Sequence, residues 1–251
     1  MTRPADAERR TGRPIVVEIA GVAGAGKSTL AANLAASLSA LGYAASDSRA
    51  TRRQALGARE RISAWLRAFP ESATATAFVA GRVVRRDLPP AALSRLGPAF
   101  QHSRQLQLLV PRLGATGVIV QEPGWLMDLL TQYVHARRPL DLPTARRYLA
   151  KGPPIDFAIV LRASPEVALR HMNARKRGLP QSFRALDAPV LDEMLRRADA
   201  SGGTIARACR AAGIETLELE VDALDGAAVT SRCTEFLVTR LARRRPIGDL
   251  S

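Results

Sequence analysis

Cysteine, histidine, lysine and aromatic residues are all scarce in this chain of 251 residues. The two cysteines, Cys209 and Cys233, lie far apart within helical patterns. That excludes a disulfide framework and a cysteine-built zinc site, and reads as two buried small hydrophobes. His102, His135 and His171 stand alone, with no H-E-x-x-H spacing, so no histidine metal centre is legible. Phe, Trp and Tyr make up only 4%, which leaves a core of Leu, Val, Ile and Ala and few platforms for stacking bases. No apolar run is long enough to cross a bilayer. The Met1–Arg13 stretch is polar, reads as a disordered lead-in, and lacks the apolar segment of a secretory leader. A soluble cytoplasmic protein with no membrane partner is therefore expected. There is no internal repeat and no long Gly/Ser linker, so one domain is expected over 14–245.

Lysine is nearly missing too: only Lys27, Lys151 and Lys176 occur, and the rest of the 37 basic residues are arginine. With 23 acids the formal charge is +14. Most of these arginines read as solvated helix faces. A subset can converge on anions, because the planar guanidinium fork matches phosphate oxygens.

Lys27 itself stands in the most informative stretch, Gly21-Val22-Ala23-Gly24-Ala25-Gly26-Lys27-Ser28, which fits G-x-x-x-x-G-K-[ST]. Before it comes the apolar, β-branched run Ile15-Val16-Val17-Glu18-Ile19-Ala20, read as a buried strand. After it comes an Ala- and Leu-rich stretch free of Gly and Pro through Ala40, read as a helix. The order strand, glycine loop, helix is the one that lets successive N–H groups form a nest for phosphate oxygens. Gly21, Gly24 and Gly26, with the small Ala23 and Ala25, give the backbone its close approach. Lys27 supplies a cation for the outer phosphates and Ser28 a hydroxyl for Mg²⁺, and Thr29 is a further candidate for cofactor binding. The implied ligand is a nucleoside triphosphate, ATP, with Mg²⁺.

Further along, Tyr43-Ala44-Ala45 predicts a second strand ending at Ser46-Asp47. Ile62, Trp65, Leu66 and Phe69 predict a helix over 51–69 that Pro70 ends, and another helix runs from about 74 to 86. A fourth helical region is expected over about 91–113. Gly117–Val120 reads as a buried strand with Gln121 and Glu122 at its carboxyl end, followed by helices at about 125–135 and 141–151, the latter with Asp141 as N-cap. Asp156–Leu161 is the next strand. Ser164-Pro165-Glu166 starts a helix, helix resumes near 189–212, Glu215–Val221 forms the last strand, and a final helix carries Val229, Cys233, Phe236, Leu237 and Leu241 on one face. Five strands alternating with helices predict an α/β fold with a parallel sheet covered on both faces. Ligands in such sheets sit outside the carboxyl ends of the strands, where Gly21, Asp47, Glu122, Ala163 and Asp222 fall.

In this order of parts the chain resembles the P-loop nucleoside and nucleotide kinase group, and within it the thymidylate kinase-like enzymes. Gly21–Ser28 carries the phosphate loop, Gly117–Glu122 the second acidic strand, and Arg170-His171-Met172-Asn173-Ala174-Arg175-Lys176-Arg177 the helix-to-lid segment. The resemblance implies a sheet in the order 2-3-1-4-5, a helical acceptor-side insertion at about 51–113, a lid at about 170–187, and transfer of the γ-phosphoryl of ATP to a small acceptor, a nucleoside or nucleotide. It implies that Glu122 sits beside the metal with Ser28, that Arg170, Arg175 and Arg177 close over the phosphates, and that Asp222 lies in the loop near the adenine. Gln121-Glu122 departs from the usual strand-ending Asp, so the metal role rests on Glu122 alone.

The acceptor side is assigned by position. Asp47 is the candidate base, and Arg49, Arg82 and Arg86 are candidates for an acceptor phosphate. The alternative class is a P-loop ATPase acting as a switch or on nucleic acid. No N-K-x-D tetrapeptide supports guanine reading, and the arginines lack interleaved aromatics, so nucleic acid is not favoured. A homodimer is left open.

Overall fold

The structure is a computed structural model that describes residues 13–49, 58–89, 92, 117–134, 136, 138–174, 178–179, 181–184 and 186–244. Residues 1–12 of the expected disordered lead-in, Arg175, Arg177 and all of the 91–113 region except Ala92 lie outside these residues, whereas Arg13, expected in that lead-in, is paired with Asp156 at 2.8 Å. The described elements run β1 (Ile15–Gly21), α1 (Lys27–Ala40), β2 (Ala45–Asp47), α2 (Ala58–Val84), β3 (Val118–Gln121), α3 (Trp125–Val134), α4 (Leu142–Leu149), β4 (Phe157–Arg162), α5 (Pro165–Asn173), α6 (Gln181–Arg184), α7 (Ala188–Ala211), β5 (Glu215–Glu220) and α8 (Gly226–Arg244).

The five strands are all parallel, in the order β2-β3-β1-β4-β5. This is the parallel α/β sheet that the strand pattern predicts, in the 2-3-1-4-5 order that the resemblance implies. Helices α1 and α8 cover one face and α3 and α7 the other, with α4 outside against α7. The strands explain this layering. Val16, Val17, Ile19 and Ala20 of β1, Val118–Val120 of β3 and Phe157–Leu161 of β4 are all buried. Such runs, apolar on both sides, fit a sheet covered on both faces. The carboxyl ends of all five strands point the same way, so Gly21, Asp47, Glu122, Ala163 and Asp222 gather along one edge.

Two boundaries differ from the sequence reading. β2 starts at Ala45 rather than Tyr43 and ends at Asp47, because Ala45, Ser46 and Asp47 pair with Val118, Ile119 and Val120. Residues 51–69 and 74–86 were expected as two helices parted by Pro70; instead α2 runs unbroken from Ala58 to Val84. An interior proline costs a helix about 3 kcal/mol. Burial of Ala75 and Val79, with Phe78 and Val83 packed on the core, offsets that loss. The short α6 was not anticipated. Asp141 caps α4 by accepting from Thr144 N at 2.6 Å, and Ser164 caps α5 through Val167 N, as their sequence signatures predict. Cys209 and Cys233 are buried free thiols, and burial pushes both up to about 12.

Candidate active site

The loop from β1 to α1 has its glycines where other residues fail. A Cβ on Gly21 would lie 2.3 Å from the Leu161 carbonyl oxygen, and one on Gly24 would lie 2.4 Å from that of Ala168. Gly24 and Gly26 also take left-handed φ values of 93° and 81°. At Gly21 and Gly24 the loop is thus wedged against β4 and α5 with no room for a side chain, while Gly26 is set by its φ alone. Gly26 caps α1 without a side-chain bond, and the first turn of α1 holds no acid. The positive end of α1 therefore has no internal counter-charge in its own first turn, which suits it to an anionic ligand. The buried Lys27 folds back over the loop and donates from Nζ to the Val22 carbonyl at 2.7 Å. Ala23 is half-buried, Ala25 buried and Thr29 exposed.

Ser28 joins this loop to the end of β3. Its Oγ donates to Glu122 Oε2 at 3.1 Å. A hydroxyl and a carboxylate oxygen are hard donors of the kind Mg²⁺ takes, usually with water and substrate phosphates completing the shell. The residues present therefore fit that ion. Among the described residues there is no group of three or more His, Cys, Asp or Glu placed to hold a metal.

Glu122 is held from the β2 side. Ser48 N donates to the Val120 carbonyl at 2.9 Å. The Ser48 hydroxyl accepts from Glu122 N at 3.2 Å and lies 3.3 Å from the Glu122 carbonyl. The Arg49 guanidinium reaches Glu122 twice: Nη2 lies 2.5 Å from Oε2, and Nε donates to the main-chain carbonyl at 3.3 Å. Asp47 Oδ1 accepts the Arg49 backbone N–H, an Asx-type turn. The parallel pairing of β2 with β3 thus brings Asp47, Ser48, Arg49, Glu122 and Ser28 together.

Beneath this group lies Glu18, fully buried in the central strand. Its carboxylate accepts from Trp125 N at 2.9 Å and Leu126 N at 2.8 Å, capping α3 from below. A Cβ on Gly124 would come within 2.7 Å of that carboxylate, so glycine lets α3 close onto it. The chain between this cap and β3 is Glu122-Pro123-Gly124, so Glu18 fixes where the Glu122 turn ends.

The other expected residues are more dispersed. Arg82, near the end of α2, donates to Asp87 Oδ2 at 2.7 Å and to Thr144 Oγ1. It also lies over the Phe78 ring. Phe78 meets Tyr148 edge-on, and Tyr148 stacks on Trp125, so one aromatic wall links α2, α4 and α3. Burial raises the Tyr133 hydroxyl against the opposing pull of Arg82. Arg86 is exposed just past α2, in a left-handed conformation with φ 59°. Arg170 is exposed in the last turn of α5. Asp222 accepts from Ser164 N at 2.9 Å, tying the loop after β5 to the start of α5.

Sequence reasoning passed over Glu18, Ser48 and His171. Glu18 had a signal, an acid inside an apolar strand. Ser48 and His171 had none, since their contacts are long-range. His171 Nδ1 donates to the Gly24 carbonyl at 3.1 Å, so α5 touches the glycine loop.

No family model matches the chain, and no curated protein matches it. Among solved structures it is similar to deoxyadenosine kinase from M. mycoides with bound dATP. That match has 15% identity and a TM-score of 0.48, covering 91% of this chain and 99% of that one. A second structure of the same enzyme, with products dCMP and a flexible dCDP, gives 14% identity and a TM-score of 0.44, covering 92% and 100%. A gluconokinase from Sinorhizobium meliloti 1021 gives 16% identity and a TM-score of 0.39, covering 92% and 93%. Likenesses this distant transfer neither activity nor substrate to this chain.

Proposed function

We propose that this protein is an ATP-dependent phosphotransferase that moves the γ-phosphoryl group to a small-molecule acceptor, a nucleoside or nucleotide. The observation that carries the reading is the Ser28–Glu122 contact. It places a hydroxyl and a carboxylate beside a phosphate loop whose helix end and lysine await an anion. Transfer of a phosphoryl group needs positioning and charge neutralisation more than covalent chemistry.

Each residue has a part in that scheme. Main-chain N–H groups of Gly21–Ser28 grip the phosphates. Lys27 leaves the Val22 carbonyl and bonds the outer phosphates. Ser28 and Glu122 hold Mg²⁺, which supplies charge neutralisation when bound. Asp47, one residue before the Ser48 clamp, takes the proton from the acceptor hydroxyl. Arg49 and Arg86 hold an anionic acceptor, while Arg82, bonded to Asp87 and Thr144, braces the aromatic wall through Phe78. Arg170, Arg175 and Arg177 close over the phosphates and exclude water, and Asp222 lies near the adenine. The thymidylate kinase-like layout is the frame for the acceptor side.

ATP turnover measured alone and with nucleosides, nucleotides, sugars or DNA tests this. Acceptor-dependent ADP release with a phosphorylated product is expected, and Lys27→Ala should lower it on the order of 10²–10³-fold with the fold intact. Turnover stimulated only by DNA, or unchanged in Lys27→Ala, would overturn the proposal.

A further inference from the structure

The metal-side carboxylate already has a cation on it. Glu122 Oε2 accepts the Ser28 hydroxyl at 3.1 Å and lies 2.5 Å from Arg49 Nη2, so one oxygen serves both partners. Glu122 is buried and cannot swing away freely, because Ser48 clamps its main chain at both N and O. Arg49 is less confined. Its side chain is about two-fifths exposed, and among the described residues the weaker 3.3 Å bond to the Glu122 carbonyl adds to the ion pair. Where two cations want one fixed oxygen, the mobile one yields.

We infer that Arg49 is a latch on Glu122: it neutralises the carboxylate while the site lacks nucleotide and must leave Oε2 before that oxygen can serve a magnesium ion. This rests on the phosphotransferase reading and adds to it a sequence of events. Arg49 and the metal compete directly for Oε2, so the guanidinium lowers metal affinity, and filling the metal site releases Arg49. The freed fork stands two residues beyond Asp47, at the mouth of the acceptor side. It becomes available to an anionic acceptor only after the nucleotide is loaded. Nucleotide would therefore bind before acceptor, and an empty enzyme would hold acceptor weakly.

The test uses the full chain with a non-hydrolysable ATP analogue at saturation and Mn²⁺ as the metal, its binding read by electron paramagnetic resonance. Arg49→Gln should bind Mn²⁺ about tenfold more tightly than the unsubstituted protein. Arg49→Lys, which keeps charge but loses the fork, should fall between. In a Glu122→Gln background the Arg49→Gln effect should vanish, because the contested oxygen has lost its charge. Binding of the analogue without metal, in chelator, should not tighten in Arg49→Gln.

Unchanged or weaker Mn²⁺ binding in Arg49→Gln would overturn the latch. So would an equal gain with and without Glu122, which would mean general charge rather than competition. If the unsubstituted protein bound no analogue at all, the phosphotransferase reading would fall and the latch with it. Analogue binding without a latch effect would remove only the latch.

Discussion

The two regions that the proposed function assigns to phosphate and to acceptor, the glycine loop and the Arg82 group, are built from different materials. On the phosphate side, a short glycine- and alanine-rich loop runs between β1 and α1, with Gly21 and Gly24 packed so tightly that no Cβ fits. On the acceptor side, Arg82, Asp87, Tyr133, Asp141 and Thr144 come from α2, α3 and α4 and their flanks and meet through side chains, apart from the Thr144 main-chain N–H that Asp141 accepts. A backbone-built site is local and steric, so one substitution should disable it. A side-chain-built site is a distributed network of modest contacts, so it should lose function and stability in steps.

Gly24→Ala breaks the phosphate side most severely. Its Cβ would enter the Ala168 backbone, and its φ of 93° disfavours any side chain. Nucleotide binding should be lost, and stability should fall by roughly 3 kcal/mol, read by denaturant unfolding. A stable variant with full nucleotide affinity would mean that the loop is not held as tightly as its glycines imply.

Glu18→Gln sharpens the comparison, because Glu18 supports the phosphate side from the sheet. It should cost about 2 kcal/mol by weakening two charged hydrogen bonds to α3. It should also loosen metal binding by displacing the Glu122 turn. Loss of stability with unchanged metal affinity would separate the cap from the site.

The acceptor side should give the smallest effect. Although its burial opposes it, hydrogen bonds from Thr144 hold the Asp141 carboxyl below its ordinary value of 3.8. The unfolded chain therefore binds that proton first. The stabilisation is complete above 3.8 and is lost as pH falls through the lower folded value. Denaturation midpoints between about pH 5 and pH 3 should fall less steeply in Asp141→Asn. An identical slope would show that the α4 cap does not contribute.

The same division decides what could be read from the sequence. Gly21–Ser28 was legible because its chemistry is encoded in adjacent residues, β1, β3 and β4 because buried parallel strands are near-continuous apolar runs, and β5 because its leucines alternate with acids. Glu122 was placed beside Ser28 only through the resemblance, since the two are 94 residues apart. Glu18 was hidden because its partners, Trp125 and Leu126, are more than 100 residues away. Pro70 misled because tertiary burial of Ala75 and Val79 outweighs its local cost. Register, too, lay beyond local reading: β2 starts two residues late because pairing with β3 sets it. Arg82 was visible as a charge, but its engagement with Asp87 and Thr144 was not.

Titration calorimetry of ATP with magnesium into the full chain, alongside Lys27→Ala, tests the phosphate side most directly. Saturable one-to-one uptake that weakens sharply without magnesium and in the variant is the expected result. Heat of mixing alone, with no saturable uptake of any purine triphosphate, would contradict it.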